Sequence, residues 1–371
     1  MAALRHLSRS RQVQFVISAF IVAEAAPLSR DVADLSARRA DLIGELCDSA
    51  LVSPDRLVKA EITALASGNG KPDSMIDPEG RWHPEIPVDS MAKQPHYWVR
   101  EYITDELRAV GCDRKEVRRR LREFFKGNEP TLKLKTLLRS REKEFRDALL
   151  ATFPIGPQYS EIMIKYCFCE ATEHQFIEAL NRSLADPRWM AIWLDSSSGV
   201  MHPIAEIVRK PGRDIAAQLG ELMKIAQSYA KLLLEGGATT SKAAVRAEIA
   251  KVWNEQKSRQ LVNLVKSLAI QANVRLQNID DNKIEECCAG LRACVKSLYS
   301  SIWDNVSGER KKSISPSQPV DALHALYAPY VDVFRAYRYM SPHIQRQVAR
   351  DKTTVVPLLT ELVGVLQDRL K

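Results

Sequence analysis

No run of eighteen apolar residues occurs in this 371-residue sequence, so it predicts no membrane-spanning helix. The G-x-x-x-x-G-K-[ST] and G-x-G-x-x-G phosphate loops, the H-E-x-x-H metal pair, the G-x-S-x-G nucleophile turn and the calcium loop are all missing. Their absence removes the common nucleotide-binding, metalloprotease, hydrolase and EF-hand classes, and the chain is expected not to be an enzyme. The seven cysteines, among them Cys167, Cys169, the Cys287-Cys288 pair and Cys294, make no C-x-x-C ladder. Free, mostly buried thiols in a reducing, intracellular setting are expected. In "CFCEATEH", Cys167, Cys169, Glu173 and His174 fit no standard zinc spacing, so neither a metal nor another cofactor is expected. Glycine is scarce, at 15 residues, and no repeat of 20 to 50 residues is visible, which excludes a solenoid.

Helical spacing recurs instead, and strand alternation is rare; the sequence predicts an all-α protein. Helices are expected over 31–47, 54–66, 97–110, 114–126, 131–152, 161–185, 214–235, 242–276 and 283–303, with a last one in "TTVVPLLTELVGVLQDRLK". Residues 67–96, with five Pro and three Gly, break the pattern as a long irregular loop. "SSSGVMHPIAEIVRKPGRD" is a second weak zone and marks a lobe boundary. The expected organisation is two helical lobes, 26–200 and 201–351, flanking a basic cleft, with arms at 1–25 and 352–371. The first segment has the basic start and apolar centre of a signal peptide or presequence, and is read here as an arm or first helix.

Charge is distributed unevenly. From Arg108 to Arg146 there are fourteen Lys and Arg against six Asp and Glu, a balance equal to the whole chain's +8. On a helix over 114–126, Val117, Leu121, Phe124 and Phe125 form a docking side. Lys115, Arg118, Arg119, Arg122 and Lys126 form a cationic side. In the next helix Leu134, Leu137, Leu138, Phe145 and Leu149 make the apolar stripe, and Lys135, Arg139, Lys143 and Arg146 a basic row. The short "GNEPT" connection would let the two cationic faces lie side by side. The acids Glu116, Glu123, Glu142 and Glu144 mostly fall off these rows, so little neutralisation is expected. Arginine outnumbers lysine in the window, and its fork suits phosphate. A solvated charged surface is the plain alternative. With no base-reading motif nearby, backbone recognition without sequence choice is expected.

Two weaker candidates accompany it. "VRKPGRD" sets Arg209, Lys210 and Arg213 ahead of a helix N-terminus, fit for an anion or for an interlobe salt bridge. "LYAPYVDVFRAYRYM" interleaves aromatics with arginines, as base stacking would require. There Tyr330, Phe334 and Tyr337 are spaced as a core stripe, leaving Arg335, Arg338 and Tyr339 as the exposed members.

The helical character, the basic helices at 114–146, the "VRKPGRD" zone and the terminal segments 1–25 and 352–371 together resemble the nucleoproteins of negative-sense single-stranded RNA viruses. That resemblance implies two helical lobes clamping single-stranded RNA by its backbone, and terminal arms that link subunits into a homo-oligomer. It further implies a place in the virion and in the host cytoplasm or nucleus, a viral polymerase or phosphoprotein as partner, and no membrane. The rival readings are a helical adaptor whose basic patch meets an acidic protein, and a motif-poor helical enzyme.

Overall fold

The computed structural model describes residues 2–25, 33–83, 95–127, 129–186, 241–276, 280–306 and 317–371, with isolated positions between 189 and 232. Over these residues the chain is predominantly helical. The helices are α1 (Ala2–Arg9), α2 (Ala19–Ala25), α3 (Ala33–Leu46), α4 (Pro54–Ser67), α5 (Pro95–Ala109), α6 (Arg114–Phe124), α7 (Leu132–Ser140) and α8 (Glu142–Thr152). They continue with α9 (Ser160–Cys167), α10 (Glu173–Ala185), α11 (Lys242–Gln271), α12 (Asp281–Cys287), α13 (Ala289–Val306), α14 (Ser317–His324), α15 (Ser341–Val348) and α16 (Leu359–Arg369).

Seven short strands interrupt the helices: β1 (Phe15–Ile17), β2 (Cys47–Leu51), β3 (Ile76–Asp77), β4 (Phe125–Lys126), β5 (Glu129–Pro130), β6 (Val333–Arg335) and β7 (Thr354–Val356). β1 runs parallel to β2 and β3 antiparallel to it, while β6 and β7 pair in parallel with α15 as their crossover. Strands of two to five residues are too short to alternate visibly, which is why the sequence concealed them.

The chain forms two compact units, and their boundaries differ from the expected lobes. One contains 1–24, 46–78 and 203–371; the other, 25–45 and 79–202, is inserted into it. The expected terminal arms need correcting too. Leu4 and Leu7 of α1 are buried with Leu366 of α16, beside Val13, Phe15, Val333 and Leu362. Ser8 Oγ donates to the Leu46 carbonyl at 3.1 Å. Both termini are thus folded into the first unit, and residues 354–356 are strand rather than helix. Three expected helices are also divided: 131–152 at Arg141, 161–185 at the turn holding Cys169 (φ 58°), and 283–303 at Cys288. Apolar spacing carries on across each break, so periodicity alone does not mark it.

At the centre of the first unit, α13 is buried on nearly every side, from Ala289 to Val295 and again over 297–299 and 301–302. Ala289, Ala293, Ser297 and Ser301 repeat every four residues and form a ridge of small side chains that permits close packing. Ser297 Oγ faces the His343 carbonyl at 3.4 Å, and the Tyr339 hydroxyl donates to the Ser301 carbonyl. At the N-terminus of α13, Glu61 of α4 is fully buried and accepts from Gly290 N–H (2.5 Å), Leu291 N–H (3.2 Å) and the Tyr330 hydroxyl (2.5 Å). Gly290 permits this approach, because a β-carbon there would collide with the Leu326 carbonyl.

Burial pushes the Glu61 carboxyl from 4.5 up to about 7, against the opposing effect of its Tyr330 hydrogen bond. A raised carboxyl favours the fold at low pH, and that contribution is lost as pH rises from about 4.5 to about 7. Glu61→Gln should therefore flatten the loss of thermal stability over that window relative to wild type. Glu61→Ala should cost roughly 2–4 kcal/mol by leaving buried donors unmet. Melting curves followed across pH 4 to 8 check both; a wild-type profile parallel to that of Glu61→Gln would refute the assignment.

Candidate polyanion interface

α6 begins where the Asp113 carboxylate accepts from the Lys115 and Glu116 N–H groups, each at 2.8 Å. Val117 and Phe124 are buried and Leu121 half-buried, which docks the helix as its apolar spacing requires. On the far side, Lys115, Arg118 and Arg122 fall within about 60° of one another around the axis. All three are exposed and make no ion pair among the described residues. Lys126, exposed in β4, follows at the end of the row. "GNEPT" is mostly a tight hairpin of β4 and β5, with Gly127 at φ +66°.

Arg119 stands at the edge of this row and is committed elsewhere. Its Nε and Nη2 donate to Glu116 at 2.9 and 2.7 Å, and its Nη1 to Glu123 at 2.6 Å. Arg120 Nε also donates to Glu116, at 2.7 Å. Hydrogen bonds from Arg119 and then Arg120 pull the Glu116 carboxyl down to about 2. Lys133, bonded at 2.9 Å, lowers the carboxyl of Glu123. The expectation of little neutralisation is thus wrong for this flank: long arginine stems bend sideways to carboxylates three and four residues away.

The second basic row is also answered by an acid. Lys135 Nζ and Arg139 Nη2 meet the two oxygens of Glu170 at 3.0 and 2.9 Å. Both cations lie about 6 Å from the Phe168 ring centroid, in the connection between α9 and α10. Arg146 pairs with Glu142 one turn away, while Lys143 is exposed without an ion pair among the described residues. Leu137, expected in the apolar stripe, is 40% exposed because α7 ends at Ser140 and presents only Leu134 and Leu138 to the core. Sequence reasoning missed Glu170 as the partner of this row, since thirty-one residues separate it from Arg139 and no local period links them.

Arg209, Lys210 and Arg213 lie outside the described residues. Arg335 and Arg338 are exposed as expected, in the first unit, and Arg335 stacks over Tyr337 at 4.7 Å. The two tyrosines exchange their expected places. Tyr337 is 45% exposed, whereas Tyr339 is half-buried and donates to Ser301. Helical spacing failed here because 333–335 are strand. An open pocket of about 730 Å³ in the second unit, bordered by Tyr159, His174 and Asn181, has its charges paired as Arg182–Glu178 (2.6 Å) and Arg81–Glu79 (3.2 Å). All seven cysteines are free, and among the described residues no group of three His, Cys, Asp or Glu could hold a metal ion. No helix among them is long and apolar enough to cross a membrane.

Comparisons with protein families, with curated protein sequences and with solved structures each found no match for this chain. If this surface takes a polyanion and α7 shares in it, Glu170→Gln should release Lys135 and Arg139 and tighten the capture of a labelled polyanion such as single-stranded RNA about threefold, roughly 0.6 kcal/mol. Fluorescence anisotropy measures this, and an unchanged affinity would put α7 outside the interface.

Proposed function

We propose that this protein binds single-stranded RNA through its phosphates, without sequence choice, and that the outer face of α6 is the contact surface. The observation that supports this reading is the row Lys115, Arg118 and Arg122, exposed and without an ion pair among the described residues, while Arg119, Arg120, Lys133, Lys135 and Arg139 are held by Glu116, Glu123 and Glu170. These cations keep their full attraction for an external anion, and the guanidinium forks of Arg118 and Arg122 match phosphate oxygens. Arg335, Arg338 and the exposed Tyr337 offer a further phosphate and stacking contact in the first unit. Encapsidation in the manner of a viral nucleoprotein extends this proposal. Because α1 and α16 pack on each other, self-association would use a surface other than free terminal arms.

Arg118→Glu with Arg122→Glu should weaken binding of a 20-nucleotide RNA by at least about tenfold, since each charge reversal replaces attraction by repulsion. Arg119→Ala should change it less than about twofold, being already engaged by two carboxylates. Three phosphate contacts give a slope of log K against log salt of about −2 on single strands. Equal effects of the two variants would overturn the assignment of the row. Tight binding of polyglutamate with none of RNA would transfer the surface to an acidic protein partner.

A further inference from the structure

A second concentration of positive charge occurs in the first unit, built from residues scattered through the sequence. Its centre is Glu285 of α12. Lys296 of α13 pairs with Glu285 Oε1, and Arg350 Nη1, from the 3₁₀ turn Ala349–Asp351, lies 4.0 Å from Oε2. Arg350 also donates to the Glu285 backbone carbonyl, which accepts from Arg292 at 2.5 Å as well. Arg292 Nη2 also pairs with Asp351, which takes Lys71 at 3.3 Å as well. From α11, Lys257 donates to Asn254 Oδ1 at 3.0 Å and lies within electrostatic reach of Glu285, Lys296 and Arg346.

We propose that Lys257, Lys296, Arg346 and Arg350 form a binding site for a small polyphosphate, with Glu285 holding them together while it is empty. The charge is unbalanced: among the described residues, Glu285 is the one carboxylate paired within this set of four cations. The site is also graded in depth. The Lys296 side chain is 13% exposed and Lys257 half-buried, whereas Arg346 and Arg350 stand exposed at the rim. Burial first, and then repulsion from Lys296 and Arg346, lower the Lys257 ammonium, against the opposing attraction of Glu285; an incoming anion would relieve the repulsive part. A partly desolvated floor strengthens attraction to that anion.

The geometry favours a compact ligand over a strand. On α6 the cations follow one another along an axis, as a polynucleotide requires. Around Glu285, Lys296 of α13 and Arg350 of the 3₁₀ turn meet one carboxylate, and Lys257 of α11 lies within electrostatic reach of Glu285, Lys296 and Arg346 of α15. Several oxygens carried on a short chain of phosphorus atoms meet that arrangement.

Isothermal titration of the full-length protein with tripolyphosphate, ATP and orthophosphate tests the site. Tripolyphosphate should bind at one site and orthophosphate at least tenfold more weakly. Arg346→Ala, at the exposed rim, should weaken tripolyphosphate severalfold, and Lys257→Ala with Arg346→Ala at least tenfold, with melting curves verifying the fold. Glu285→Gln should tighten it severalfold, because a competing carboxylate is removed; a purely structural Glu285 would give no gain. Arg118→Glu with Arg122→Glu should leave it unchanged, so this site and the α6 surface succeed or fail separately. ATP binding more tightly than tripolyphosphate would assign the phosphates to a nucleotide, and equal affinity to the free chain. Absence of tripolyphosphate binding, equal affinity in the double variant, or capture of RNA at Lys257 without tripolyphosphate would overturn the proposal.

Discussion

A buried carboxylate at the start of the central helix holds the first unit together. Glu61 reaches from α4 to the free amides of Gly290 and Leu291 and takes the Tyr330 hydroxyl as a third donor. Helix N-termini need acceptors, and a negative charge there is favoured by the aligned peptide dipoles. Removal from water opposes the same charge, which is why its carboxyl titrates near 7. Three segments distant in sequence are joined by this contact: α4, the start of α13, and the 3₁₀ helix Ala325–Tyr330. Their packing sets α15 against α13, and α15 in turn carries the crossover between β6 and β7. Arg346 and the 3₁₀ turn bearing Arg350 are placed by the same arrangement.

The two basic surfaces differ in how their charge is held. Around α6, carboxylates at three and four residues draw Arg119 and Arg120 to one flank and leave Lys115, Arg118 and Arg122 outside the pairing. This division follows from helical geometry, since Glu116 and Glu123 lie on one side of the basic row. Around Glu285, convergence is tertiary, and partial burial adds to the repulsion among the cations. Exposed pairs of the first kind contribute little to stability. Of the second group, Lys257 and Arg346 make no ion pair among the described residues.

Legibility followed length of period. α4, α5 and α6 lie within two or three residues of their expected bounds, because long amphipathic stretches repeat their signal over several turns. Breaks at Arg141, Cys169 and Cys288 went unseen, since apolar spacing persists through them while the backbone turns. Tyr337 and Tyr339 were exchanged for a related reason: a three-residue strand, β6, shifts the local period from helical to extended.

What the sequence by itself determined is the helical class, the amphipathic character of α6 and the excess of cations around it, for each depends on residues within a few turns of one another. Tertiary structure decided which cations remain available. Glu170 reaches back to Lys135 and Arg139, and Glu285 gathers Lys296 and Arg350, across separations that no periodic pattern records. It also decided that the chain ends belong to the first unit, since Leu4, Leu7 and Leu366 are buried together against Val13, Phe15, Leu46 and Val333. Electrostatic pairing and hydrophobic burial act through space, and only folding converts sequence distance into contact.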